Sequence, residues 1–313
     1  MTRPSTDWPP LVWGEWRETL ETLHLMTQIV GKVRLAQTPW LNHSWQTPLY
    51  LTAHGLSTGP IPHGGRSFDM EFDFVDQALR IRADGPGAAL ALAPTSIAKF
   101  QEAVLGALAE LGLAVSIHGA PNELPEAVPF AEDTAPRAYD GTAARRFWRA
   151  LIQADRVLKL FRTGFLGKAS PVHFFWGSFD LAGTRFSGRR APLHPGGVPH
   201  LPDAVAREAY SHEVSSAGFW PGGPGKEEAV FYSYAWPEPA GFKQAGVMPK
   251  AARYDADLGE FVLPYAAVRA ASDPDAMLLD FLASTYAAAA DLGRWNRAAL
   301  ECDLGAPGRP RPL

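Results

Sequence analysis

One cysteine, Cys302, stands in the whole chain, close to its end. No disulfide can close within the sequence, and a cysteine-based zinc site is not expected. No run of 18 apolar residues occurs, so no membrane-spanning helix and no membrane partner are expected. The opening residues, MTRPSTDWPPLVWGEW, carry neither an apolar stretch nor a cleavage pattern; the expectation is a cytoplasmic protein without a secretory signal. Surplus positive charge is missing as well. With 29 basic against 33 acidic side chains and a net charge of −4, there is no electrostatic footprint for nucleic acid. Nor is there a GxGxxG, a strand-to-helix phosphate loop or a GxSxG, which removes the usual nucleotide-cofactor and α/β-hydrolase readings. His43, His54, His63 and His173 are scattered, without HxH, HxxxH or HExxH spacing, so no metal is expected and no cofactor is named.

What is present is a globular composition, 46% hydrophobic and 20% charged. At 313 residues it fits one large domain or two intimate ones. Ten tryptophans and 28 prolines are more unusual, and Trp8, Trp13, Trp16, Trp40 and Trp45 crowd the start. Such rings either pin prolyl loops to the body or form a stacking wall for a planar ligand.

The pattern predicts a helix over 16–34, a strand over 48–53, and a clear strand over 68–74. In the last, Phe68, Met70, Phe72 and Phe74 alternate with Asp69, Glu71 and Asp73. A hairpin through 75–78 sets Arg80 and Arg82 against those acids. Further elements are a strand over 88–92, a helix after Pro94-Thr95 stopped by Gly112, and a strand over 113–117. A proline- and acid-rich linker without period covers 121–141. The second half opens like the first: a helical stripe from Phe147 to Phe161, then Pro171 and an aromatic strand over 173–179. Strands at 229–235 and 260–263 follow, then a helix started by Asp273-Pro274, with Leu278, Phe281, Leu282, Thr285 and Leu292 on its buried side. Consecutive strands on short turns, flanked by helices, point to the α+β class with antiparallel sheets. The expected organisation is two α+β halves, 1–120 and 142–300, joined by the linker and ending in a flexible tail, 301–313. The matched openings suggest a diverged tandem repeat.

Chemistry concentrates in the middle, PVHFFWGSFDLAGTRFSGRRAPLH from Pro171 and EAYSHEVSSAGFWPGG ending at Gly223. Aromatic, cationic, hydroxyl and imidazole groups interleave there as a pocket wall requires. The candidate catalytic residues are His212 as proton carrier, Glu213, Asp180 as its support and Ser215 as nucleophile. Arg185 and Arg189 are the candidate anion anchors, and His173, Trp176 and Trp220 the walls. Each also has a plain structural reading: His212 capping a loop, the serines satisfying backbone, Arg185 pairing with Asp180.

These stretches, with WRETLETLHLMTQIVGKVRLAQTPWLNHSW from Trp16 and YDADLGEFVLPY from Tyr254, resemble an uncharacterised bacterial family, domain of unknown function 5996. The likeness spans nearly the whole chain and implies no activity. The function expected from the residues is a small-molecule enzyme, working by hydrolysis or group transfer on an anionic substrate bound within 171–223. The alternatives are a non-catalytic metabolite-binding module and an aromatic-faced protein of interaction or homo-oligomerisation.

Overall fold

The computed structural model describes residues 7–311. The chain opens with a long helix, α1 (Trp13–Gln37), which buries Trp16, Leu20, Leu23, Met26, Ile29, Val30 and Val33. Six strands follow: β1 (Tyr50–Leu51), β2 (Gly55–Ser57), β3 (Ile61–His63), β4 (Arg66–Asp73), β5 (Ala78–Ala83) and β6 (Ala88–Ala91), and then α2 (Ile97–Glu110). The second half runs α3 (Gly141–Thr163), β7 (His173–Phe175), β8 (Asp180–Arg190), α4 (Asp203–Ala209), β9 (His212–Trp220) and β10 (Val230–Trp236). It ends with β11 (Arg253–Asp255), β12 (Glu260–Pro264), α5 (Tyr265–Ala270), α6 (Pro274–Leu292) and α7 (Arg297–Leu300). The class is α+β with two antiparallel six-stranded sheets.

In the first sheet the order is β1-β2-β4-β5-β6, with β3 pairing further along β4, so β2 and β3 act as one interrupted strand. The second sheet runs β11-β12-β10-β9-β8-β7. Each half is thus a helix followed by an antiparallel sheet; the second runs as a meander from β7 to β10, after which the chain passes over to edge strand β11 and returns as β12 between β11 and β10. The two sheets meet where Leu49 and Phe174 exchange both backbone hydrogen bonds, at 2.8 Å each. One continuous apolar core runs from Trp8 to Ala289 and draws on both halves.

The predicted hairpin is present. β4 pairs with β5 from Phe68↔Ala83 to Asp73↔Ala78, which puts Glu71 opposite Arg80 and Asp69 opposite Arg82. Phe68, Met70, Phe72 and Phe74 are buried, each contributing about 2–3 kcal/mol of transfer free energy. Glu71 and Asp73 are buried too, because Arg82 and Arg80 cover them. Asp273 caps α6 by accepting the Ala276 amide, with Pro274 at the first position. Three expectations are corrected. Residues 113–117 form no strand: their backbone joins no ladder, and only the Leu113 amide is bonded, to the Leu108 carbonyl at the end of α2. The aromatic strand stops at Phe175, because Trp176–Phe179 make the turn into β8, with Phe179 at φ 59°. Leu292 ends α6 at 43% exposure, past the last buried turn.

Candidate functional site

The second sheet has two unlike faces. Strand alternation sends Leu181, Ala217, Phe219, Phe231, Phe261 and Leu263 to the core. It sends Asp180, Ala182 and Thr184 of β8, Ser216 of β9, Tyr232 and Tyr234 of β10 and Glu260 of β12 to the opposite side. Over that side lie the end of α1, residues 40–47, residues 118–123, and the segment 198–210 that includes α4. Between them is a cleft of about 780 Å³, continuous with a second lobe of about 530 Å³. The lobes share Glu123, Ser178, Asp180, Tyr210, Tyr232 and Tyr234. Both volumes suit a small ligand.

Asp180 is the floor. It is 7% exposed and accepts hydrogen bonds from the hydroxyls of Tyr232 and Ser178. Burial raises its pKa, and the two hydroxyls only partly offset that. Tyr232 reaches it because Gly218 lies beneath: a Cβ there would stand 2.4 Å from the tyrosine oxygen and 2.1 Å from the Leu181 carbonyl. Tyr232 and Tyr234 stack with centroids 6.1 Å apart, and the Tyr234 and Tyr210 hydroxyls share a 2.8 Å hydrogen bond. Ser216 meets Thr184 at 2.9 Å.

Two more carboxyls, of Glu123 and Glu260, line the smaller lobe with Asp180. Glu123 is pushed up to about 7 by burial and then by Asp180; Glu260 is pushed up to about 8 by burial, then by Asp180 and Asp255. Among the described residues, neither carboxyl makes a hydrogen bond, and no lysine or arginine pairs with any of the three. Lys32 also lines the larger lobe. Burial lowers it to about 8; its ammonium bonds the Asn122 side chain and lies 5.6 Å from the Trp176 ring.

Glu123 is positioned from α1. Gln28 binds both backbone groups of Asn122: its oxygen accepts the amide at 2.7 Å, and its nitrogen donates to the carbonyl at 2.9 Å. One turn before, His24 donates to the Gly177 carbonyl at 2.7 Å. Gly177 is the seat of the Glu123 carboxyl, since a Cβ there would stand 2.0 Å from Oε1. His24, Gln28 and Lys32 are spaced by four, so one stripe of α1 holds both segments that flank Glu123. Glu123 itself is at φ 59°, and His43 (61°), Ser44 (53°) and His200 (52°), also lining the cleft, share this left-handed conformation. Each costs about 1–3 kcal/mol, and such strain gathers at ligand sites.

Of the residues singled out from the sequence, Asp180 and Trp176 line the larger lobe, and Asp180 and Trp220 the smaller. The others do not join them. Arg185 pairs across the ladder with Ser215, and both lie on the core side. Its guanidinium is caged 3.6 Å from the Phe161 ring centre, 4.4 Å from Tyr286 and 4.9 Å from Phe165, and it donates to the Phe161 carbonyl. His212 is three residues from Ser215, hence on the other face, and is exposed, with its ring on the Ser211 hydroxyl at 3.1 Å. Glu213 and Arg189 pair with each other at 2.7 Å, and Arg189 donates to the Arg294 and Gly293 carbonyls beyond α6. His173 is 1% exposed, behind the cleft wall, packed on Phe175 at 4.6 Å and Trp45 at 6.5 Å. Neither of its ring nitrogens has a partner, and burial lowers it to about 3.

The comparisons with known proteins agree with this picture in extent. A family model matches residues 8–302. The chain belongs to DUF5996, a family of unknown function. No curated protein and no solved structure matches it. The match covers the DUF5996 cleft in full, from Lys32 to Glu260. Among the described residues no group of three or more His, Cys, Asp or Glu side chains is placed to hold a metal ion, and no helix is long and apolar enough to cross a membrane.

Proposed function

We propose that this DUF5996 protein is an enzyme that binds a polar small molecule in the cleft and acts on it by general acid–base chemistry, in hydrolysis or group transfer. The observation that carries the reading is the pair Glu123 and Asp180, which line both lobes where these join and have no cationic partner among the described residues. A carboxyl pushed up to about 7 is half-protonated at neutral pH and can both give and take a proton. Glu123 therefore moves the proton. Asp180, fixed by Tyr232 and Ser178, is the oriented partner that stabilises positive charge or holds a water. The anion anchoring expected from Arg185 and Arg189 has no support, because neither side chain lines the cleft.

The test is consumption of a defined metabolite mixture, followed by mass spectrometry, with wild type, Glu123→Gln and Asp180→Asn side by side. Selective depletion by wild type, lost by about 100-fold or more in Glu123→Gln, is the expected outcome. Stabilisation by a compound that is never consumed points instead to a non-catalytic binding protein. Depletion that survives both substitutions refutes the assigned residues.

A further inference from the structure

We propose that the group recognised in this cleft is an organic cation, an alkylammonium taken into the smaller lobe, whose walls carry the carboxyls of Glu123, Asp180 and Glu260 and the rings of Tyr210, Tyr232 and Tyr234. The proposal rests on the cleft being the ligand site and adds the chemical class of what it takes. Two independent features of the walls point the same way. The first is charge. Three carboxyls from three separate segments face one space, and none has a lysine or arginine partner among the described residues. Among the described residues no lysine or arginine lines the smaller lobe, and Lys226, Lys243 and Arg253 pair with other acids, Asp255 at 2.8 Å, Glu238 at 3.6 Å and Glu228 at 3.0 Å. Lys32 bonds only the neutral amide of Asn122 and keeps its charge, but it lines the larger lobe alone, so the cation is assigned to the smaller lobe. A buried carboxylate without a counter-charge is costly, and a ligand that brings the charge removes that cost.

The second feature is aromatic. Tyr232 and Tyr234 line the lobe with rings stacked on one another, Tyr232 reaching Asp180 through its hydroxyl; Tyr210 stands 6.3 Å from Tyr234, and Trp236 extends the aromatic wall in the smaller lobe. Ring faces attract ammonium groups and do little for anions. An anionic ligand would meet the three carboxyls. A neutral polyol would satisfy hydrogen bonds but leave the charge uncompensated.

Cation binding favours the ionised carboxyls, so protons must leave as the ligand enters. The groups that face Glu123 are Asp180 and Tyr210. Those that face Glu260 are Asp180, Asp255, Tyr210, Tyr232, Tyr234 and Tyr254. The tyrosines are held above their ordinary value and stay neutral; Lys32, His43, His118, His194, His200 and Glu238 are the remaining titratable groups of the walls, and Lys32, lowered to about 8, loses its proton over the same range as the carboxyls. Comparing wild type with Glu123→Gln, Glu260→Gln and Lys32→Met between pH 7 and 8 separates the carboxyls from the lysine and from the imidazoles, since only the carboxyl substitutions should reduce proton release.

The experiment is isothermal titration calorimetry of the whole protein in phosphate and MOPS buffers, whose heats of ionisation differ. The probes are putrescine against 1,4-butanediol and phenethylammonium against 2-phenylethanol. At least one cation should bind about tenfold or more tightly than its neutral counterpart, release protons to the buffer and gain affinity from pH 7 to 8. Glu123→Gln and Glu260→Gln, accepted as folded by circular dichroism, should each lower that affinity about tenfold and reduce the proton release. Equal binding of cation and alcohol, no cation binding, or binding unmoved by both substitutions would overturn the proposal. Cation binding without any turnover removes the acid–base enzyme and keeps this inference. A neutral compound consumed in a Glu123-dependent way does the reverse.

Discussion

Replacing Glu123 and Glu260 by glutamine should flatten the alkaline side of the stability profile. Both carboxyls have raised pKa values in the folded protein, about 7 and about 8, first through burial and then through Asp180. The native state therefore holds more protons than the unfolded chain from about pH 4.5 upward. Their contribution is fully present below that point and is lost as pH rises through the folded values. The window from pH 6.5 to 8 isolates them. His24, His43 and His173 are lowered to about 4, 4 and 3, so they remove stability only as pH falls below about 6.5. Lys32, lowered to about 8, restores stability only as pH rises above that value. Over this window two fully desolvated groups would cost up to about 3 kcal/mol. Both side chains keep some contact with solvent in the cleft, so about 1–2 kcal/mol is expected. Urea unfolding followed by tryptophan fluorescence reads it out. The wild-type midpoint should fall between pH 6.5 and 8. Each single substitution should recover part of the fall, and the double variant should lose little. Parallel profiles for wild type and the double variant would refute the assignment of raised values, and with it the acid–base role given to Glu123.

Four other outcomes are expected. Gly177→Ala drives a methyl group into the space of the Glu123 carboxyl, so the fold should survive while ¹³C NMR shows Glu123 titrating closer to the ordinary glutamate range; an unchanged titration contradicts the seating. Gln28→Leu removes both hydrogen bonds that hold Asn122 and should cost about 2–4 kcal/mol in urea unfolding, with faster hydrogen exchange at the Asn122 amide. His173→Phe exchanges a buried imidazole with no partner for an apolar ring and should be neutral or stabilising by about 1 kcal/mol at pH 7, while removing part of the acid-side loss; a cost above about 2 kcal/mol would mean that ordered water satisfies the ring. Arg185→Met should destabilise by about 1–3 kcal/mol and leave ligand affinity in the cleft unchanged, since the guanidinium serves only the cage of Phe161, Phe165 and Tyr286.

The elements that could be read from the sequence are those with a complete local signal. β4 and β5 alternate cleanly and carry matched charges, and α6 has its Asp-Pro start. Residues 113–117 have strand-like alternation, but a strand also needs a free edge, and that is a tertiary fact. The site divides in the same way. Asp180, Trp176 and Trp220 lie in the dense middle stretch and do reach the cleft. Glu123 sits in what reads as a linker, and Lys32 and Glu260 lie in apolar elements, so their convergence is set by the packing of α1 and the second sheet. One signal was available. His24, Gln28 and Lys32 recur every four residues inside the otherwise apolar LHLMTQIVGKV, and polar groups so placed must be buried with partners.

Parity within β9 explains why the expected His212, Ser215 and Arg185 site does not form. Once 212–220 is a strand, His212 and Ser215 differ by an odd number and face opposite ways. The same parity makes the neighbour, Ser216, the serine that looks into the cleft. It also divides labour between the faces. Toward the helices, Arg185 is bound by aromatic rings and a carbonyl, an arrangement that leaves no room for a ligand. Toward the cleft, the Asp180 side chain is held by two hydroxyls, and among the described residues Glu123 and Glu260 have no cationic partner. Want of a hydrogen bond does not by itself separate the two faces, since the buried Arg185 Nε and both His173 nitrogens also lack a partner. What separates them is access: the Arg185 guanidinium is enclosed by three rings, whereas Asp180, Glu123 and Glu260 line an open lobe that a ligand can enter, which is why the proposed chemistry is placed on the acidic, tyrosine-lined face.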